Sequence, residues 1–331
     1  MDVHWMDPAA LEPADLAGAV AVLDAARAVD SAHRLPETVS SLTGRLRHGW
    51  DGDPAAMAVA RDATGRVVGV LELELPRWDN RHFGYVDVTV DPLRRREGLG
   101  RELFEAGTAQ VVSDGRTVVA TGGYESPAST AFAKALGLDR AAEEVERRQE
   151  LVTLDGAGLA ALAEQARRQS SGYELVRLPA WTPASLLPEV ARLTSAINDA
   201  PTDDLDIEDE VYEGPRIRAF EAARVAQGHR LYRLAARERS SGALVGQTVV
   251  GVDGERPGFA AQLDTSVQRE HRGHRLGLLL KLGMLTWLQE REPQLRVLDT
   301  WNAASNDHMI AVNEALGYRV VGCAVLWQRH L

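Results

Sequence analysis

Asp91-Pro92-Leu93-Arg94-Arg95-Arg96-Glu97-Gly98-Leu99-Gly100 is a basic, glycine-containing loop. The apolar strand Tyr85-Val86-Asp87-Val88-Thr89-Val90 leads into it, and a helix is predicted over about 101–112. Strand, loop and helix N-terminus together build an anion site. Loop N–H groups converge and the helix end adds partial positive charge. Glycine permits close approach of a ligand, and arginine supplies charge-assisted bonds to phosphate oxygens. Arg95, Arg96, Gly98, Leu99, Gly100 and Arg101 span the candidate site.

Working outward, the same order of elements recurs, which marks an internal duplication. A strand over 117–121 and a helix over 128–136 follow the first loop, and Gly137 suits a helix C-cap. The second copy has the strand Phe259–Val267 and the loop Gln268-Arg269-Glu270-His271-Arg272-Gly273-His274-Arg275-Leu276-Gly277. A helix over 278–290, a strand over 295–301 and a helix over 305–316 before Gly317 complete it. Upstream, Val67–Leu75 and Leu244–Val252 read as strands rich in branched residues, behind turn signals at Gly65 and Gly242. Leu23–Arg34 and Leu186–Asn198 read as amphipathic helices. Alternating strands and helices predict a mixed α/β sheet in each half. The expected organisation is an N-terminal domain over 1–153, a helical linker over 154–172 and a C-terminal domain over 173–331.

Charge narrows the partners. The 331 residues carry 37 Lys and Arg against 48 Asp and Glu, a net charge of −11. That balance argues against nucleic acid and anionic membranes as partners and suits a cationic substrate. A single cysteine, Cys323, leaves no disulfide framework within the chain. His271 and His274 lack a third ligand at metal spacing, so no metal is expected. Residues 1–10 hold Asp2 and Asp7 and no Lys or Arg, unlike a signal peptide. No apolar run approaches a membrane span. A cytoplasmic protein is the expectation, with its oligomeric state, monomer or homodimer, left open.

A dinucleotide fingerprint and a Walker loop are both absent. The pattern Arg-x-x-Gly-x-Gly after a strand, in Arg95-Arg96-Glu97-Gly98-Leu99-Gly100, resembles the GNAT superfamily of N-acetyltransferases. The tandem arrangement is similar to mycothiol synthase-like double-domain members. The resemblance implies two GNAT-like domains of class α/β, each a mixed central sheet flanked by helices. It also implies that acetyl-CoA binds with its pyrophosphate on the loop. Backbone N–H groups of Val88 and Val90, or of Thr265 and Val267, would then face the cofactor. One such N–H would polarise the thioester carbonyl as charge develops there.

By the same resemblance, Arg272, Gly273, His274, Arg275, Leu276 and Gly277 form the second loop, with Arg275 in place of the first glycine. Asn302 and Asn306 match positions that contact the cofactor's pantetheine arm. The N-terminal half, with Thr121-Gly122-Gly123-Tyr124-Glu125-Ser126, lacks both asparagines. The C-terminal half is therefore favoured as the catalytic one. The family's usual acid and base positions hold Asn313 and Ala133, and Ala261 and Gly84. Asp264 and Gln262 share one strand face. Either could contact substrate or relay a proton, or both form a structural polar pair. Tyr318 is a further candidate acid, or else a core aromatic at a strand start.

Seven carboxylates and no basic residue lie between Asp199 and Glu210. Asp199, Asp203, Asp204 and Asp206 could rim an acceptor site for a cationic amine. Alternatively the segment is a solvated loop capping a helix over 208–226. The function expected is transfer of acetyl from acetyl-CoA to a primary amine of a small, cationic acceptor. The competing expectation is a non-catalytic acyl-CoA sensor or ligand-sequestering protein.

Overall fold

The computed structural model describes residues 2–331. Twelve strands are present among the described residues: β1 (Asp2–Trp5), β2 (Ala56–Arg61), β3 (Val67–Glu74), β4 (Phe83–Val90), β5 (Val118–Tyr124), β6 (Asp139–Glu150), β7 (Tyr173–Leu178), β8 (Arg230–Glu238), β9 (Leu244–Val252), β10 (Phe259–Val267), β11 (Val297–Ala303) and β12 (Arg319–His330). The α-helices among the described residues are α1 (Pro13–Asp30), α2 (Val39–His48), α3 (Leu99–Ser113), α4 (Pro127–Ala135), α5 (Gly156–Gln169), α6 (Leu187–Ser195), α7 (Gly214–Ala226), α8 (Leu276–Arg291) and α9 (Asp307–Ala315). Strands and helices mix as the sequence predicts. The helix expected from residue 208 begins only at Gly214, because the acidic residues before it run extended.

Two compact units form. The first holds 1–144, 202–209 and 322–331; the second holds 145–201 and 210–321. These units do not follow the linear limits 1–153 and 173–331. In the first, β1 to β5 lie in chain order and the end of the chain completes the sheet. Residues 324–330 of β12 pair antiparallel with β5, from Ala324↔Tyr124 to His330↔Val118. In the second unit the order is β6-β11-β10-β9-β8-β7, so residues 145–150 of β6 edge that sheet. Each half thus gives the end of its last strand to the other half's unit. Backbone pairing is indifferent to chain order once side-chain faces match.

Both units are built alike. A parallel pair, β4–β5 or β10–β11, sits beside an antiparallel meander. Helix α3 packs on β4, and a Cβ on Gly107 would lie 2.5 Å from Val86 Cγ1, so the close approach requires glycine. Helix α8 is apolar nearly all round because neighbours cover it, with Leu276, Leu280 and Leu288 at 2% exposure or less. Helix α4 opens on Pro127 with a reciprocal Ser126–Ser129 capping box, which fixes its start beside the end of β5.

Candidate active site

The first unit opens where β4 and β5 part. Their pairing runs from Phe83↔Val118 to Tyr85↔Ala120 and then stops. Asp91 N donates to Val68 O at 3.0 Å, which sets the alternation along β4. Val86, Val88 and Val90 therefore turn their backbone groups toward the parting. A cleft of about 690 Å³ lies there. Val88, Thr89 and Val90, the loop residues Arg94, Arg95, Arg96, Gly98, Gly100 and Arg101, and Thr121, Gly122, Gly123, Phe132 and Ala133 line it.

The loop is held from both sides. Arg95 donates through Nε to Val90 O (3.3 Å) and through Nη1 and Nη2 to Asp30 (3.0 and 2.5 Å). Arg101 donates to Ala135 O at 2.9 Å. Arg96, at φ 71°, makes no ion pair and is exposed along the cleft. Gly98, at φ 91°, begins α3. Leu99, also expected at the site, turns its side chain into the core at 1% exposure.

The second unit repeats this frame. Pairing of β10 with β11 ends at Ala261↔Asp299, and Gln268 N donates to Val245 O at 2.9 Å. Thr265 and Val267 accordingly turn their backbone groups toward the parting of the strands. Arg272 donates to Val267 O at 3.0 Å and to Asp199 at 2.5 Å. The two positive-φ positions persist with residue types exchanged: Arg96 and Gly98 in one loop, Gly273 (φ 83°) and Arg275 (φ 55°) in the other. Ser170 donates to His274 O at 2.6 Å, and the Tyr173 hydroxyl is 3.0 Å from His271 Nδ1.

Several expected side chains are engaged elsewhere. Asn306 caps α9 by accepting from Met309 N. Asn302 accepts from Asn313 Nδ2 at 2.6 Å. Gln262 donates to Thr248, Val249 O and Asp264 O, so it ties strands together rather than reaching a ligand. Tyr318 is a core aromatic at 5% exposure, its ring 5.0 Å from Lys281 Nζ. Asp264 accepts from Gln247 at 2.6 Å and Ser266 at 3.2 Å through Oδ2, while its buried Oδ1 has no partner. Burial raises its pKa to about 6.

The acidic segment divides between the units. Asp199, expected at the acceptor rim, is ion-paired with Arg269 and Arg272. Residues 202–209 belong to the first unit, not to the C-terminal half where they were expected to act. Leu205 and Ile207 anchor them on Phe83, Tyr85, Val118 and Ala120. Glu208 and Asn80 exchange bonds at 3.0 and 2.7 Å. Asp204 N donates to Ala141 O, and Asp206 N to Gln328.

Beside that strap lies a carboxylate group that the motif reading missed. Glu72 and Glu74 on β3 stand opposite Asp87 and Tyr85 on β4, on one sheet face. Arg45 binds Glu72 and Glu37. Asp87 accepts from Thr121 Oγ1 (3.1 Å) and Gly122 N (3.0 Å), both from cleft-lining residues. The Glu74 side chain makes no hydrogen bond or ion pair among the described residues. Desolvation, then Glu72 and Asp87, raise the Glu74 pKa to about 7. Desolvation outweighs the bond from Gly122 and, with the nearby charge of Glu72, raises the Asp87 pKa to about 6. The duplication was the available signal: Asp87 precedes Arg95 by eight residues, as Asp264 precedes Arg272.

Residues 26–138 match the acetyltransferase (GNAT) family. A solved tandem GNAT protein from the clavulanic acid biosynthesis pathway superposes with a TM-score of 0.79 at 29% identity, over 99% of this chain and 98% of its own. This chain has the tandem GNAT fold. Mycothiol acetyltransferase of Clavibacter sepedonicus is 33% identical over 153 residues, 44% of this chain and 43% of the relative. That of Clavibacter michiganensis subsp. michiganensis (strain NCPPB 382) is 34% identical over 132 residues, 38% and 37% of the two chains. These alignments span less than half of the curated relatives' length. No described helix is long and apolar enough to cross a membrane. No described group of three or more His, Cys, Asp or Glu could hold a metal ion.

Proposed function

We propose that this protein is an N-acetyltransferase that takes acetyl from acetyl-CoA in the first unit and delivers it to a small cationic amine. One observation carries the reading: the 690 Å³ cleft with its arginine-rimmed loop meets, at Thr121 and Gly122, the carboxylate of Asp87. The cleft fits a CoA ester. Gly98, Gly100, Gly122 and Gly123 leave its surface open, and Arg96 is uncommitted. This favours the N-terminal half for chemistry, because, of the asparagines that favoured the other half, Asn302 accepts from Asn313 and Asn306 caps a helix end.

Arg95, Arg96 and Arg101 would hold the phosphates, with the N-terminus of α3 behind them. Bound acetyl-CoA would supply an activated acyl thioester. The N–H of Val88 or Val90 would stabilise negative charge on the acyl oxygen. Glu72, Glu74 and Asp87 would attract an ammonium group, and Asp203, Asp204 and Asp206 add negative charge along the strap. Asp87, with its pKa near 6, would take the proton from the incoming amine. Glu74 would serve as a second proton acceptor through water.

Titration of acetyl-CoA by calorimetry, followed by thiol-release assays over a panel of mono- and dicationic amines, tests this. Binding with turnover favouring dicationic amines supports the enzyme. Binding without turnover of any amine supports the sensor instead, and no binding overturns both.

A further inference from the structure

Lys281 lies on α8 at 4% exposure, in the apolar core of the second unit. It has no carboxylate partner. Its Nζ donates to Asn313 Oδ1 at 2.7 Å, and Asn313 Nδ2 donates to Asn302 Oδ1 at 2.6 Å. Burying an ammonium group without a counter-ion is costly. The fold does not demand it. Phe104 stands four residues after Gly100, as Lys281 stands four after Gly277, and Ala133 occupies the place of Asn313. The first unit therefore closes the same place with apolar side chains at 1% and 2% exposure.

The chemistry of the chain fixes its direction. Lysine can only donate, so Asn313 must turn its oxygen to Lys281 and its amide nitrogen to Asn302. Asn302 must then accept through oxygen, which leaves its own Nδ2 without a partner. Bonds aligned in one direction from a charge polarise one another. Asn302 sits on β11 three residues beyond the last pairing with β10, where the strands have parted, and is half-buried.

We propose that Lys281 is a positioning residue for a second acyl-CoA site. Through Asn313 it fixes the Asn302 amide, so that Asn302 offers N–H donors to an amide carbonyl of the acyl-CoA arm between β10 and β11. This rests on the reading that the protein binds acetyl-CoA. Burial alone lowers the Lys281 pKa to about 7, in keeping with a charge kept at some expense to the fold.

The test is calorimetric titration of acetyl-CoA into the full chain carrying Gly98→Asp, which disables the first loop. One equivalent is expected to remain bound, against two in the parent. Asn302→Ala should weaken it about tenfold. The pair Lys281→Met with Asn313→Ala, which imitates the first unit, should do the same without lowering the melting temperature. All three changes together should cost no more than either set. The proposal is overturned if Gly98→Asp abolishes binding while the parent binds one equivalent. It is equally overturned if the two sets are without effect or act additively, or if Lys281→Met with Asn313→Ala loses affinity and melting temperature together. Absence of binding to the parent would overturn the acetyl-CoA reading itself.

Discussion

Arg95 and Asp30 form a two-bond ion pair at the mouth of the first cleft, and Arg272 and Asp199 form its counterpart in the second unit. In each case the guanidinium also binds the carbonyl ending the preceding strand. Each loop arginine is thereby oriented before any ligand arrives. Arg95→Ala should weaken acetyl-CoA binding at least tenfold, since it removes both a charge and its alignment. Asp30→Asn should cost less, because one hydrogen bond survives and the local potential becomes more positive. Calorimetry at fixed ionic strength would rank the two.

Asp87→Asn should lower kcat by about a hundredfold with little change in KM, the usual scale for a lost general base. The parent rate should rise with pH through about 6 to 7, as Asp87 and Glu74 lose protons. A pH–rate profile in which Asp87→Asn keeps the same acid limb would remove Asp87 from that role.

Stability should follow the opposite trend over part of this range. Glu74, Asp87 and Asp264 have raised pKa values when folded, so the native state binds more protons than the unfolded chain from about pH 4 to 7. Their contribution therefore falls as pH rises across that window. Lys281 is lowered from 10.5 to about 7, so the unfolded chain binds the extra proton between those values. Its contribution improves from pH 7 to 10. Urea midpoints across pH, with and without Lys281→Met, would show the rising limb vanish in the variant.

Close packing supplies a stability prediction. A Cβ on Gly283 would lie 2.4 Å from Leu175 Cδ1 and 2.9 Å from Leu234 Cδ2. Gly283→Ala on α8 should destabilise by about 1–3 kcal/mol, the cost of overfilling a packed core, despite alanine's better helix propensity. Denaturant unfolding would read this directly.

Neutralising the strap with Asp203→Asn, Asp204→Asn and Asp206→Asn should raise KM for dicationic amines and flatten its salt dependence. Equal effects on mono- and dicationic amines would reduce these carboxylates to ordinary surface.

Much of the frame was legible in sequence because it depends on local chemistry. β9 and β10 match the predicted spans to the residue, and both loops follow their strands as read. Branched alternation makes strands, and Gly98, Gly137 and Gly317 mark helix ends by their positive φ. Asp87 was legible in principle, from its spacing to Arg95. Glu72 and Glu74 read only as the outward face of an ordinary strand, since nothing local announces three carboxylates meeting across two strands.

The sequence by itself determined the duplication, the strand–loop–helix order in each half and the resemblance to the GNAT superfamily. All three follow from short-range spacing and backbone conformation. Only the tertiary structure decided where residues 202–209 and 322–331 dock, that Asp199 clamps Arg272, and that Lys281 reaches Asn313 across 32 positions. Those outcomes turn on which side chains share a buried face after the sheet has formed. Contacts between distant positions leave no periodic trace along the chain.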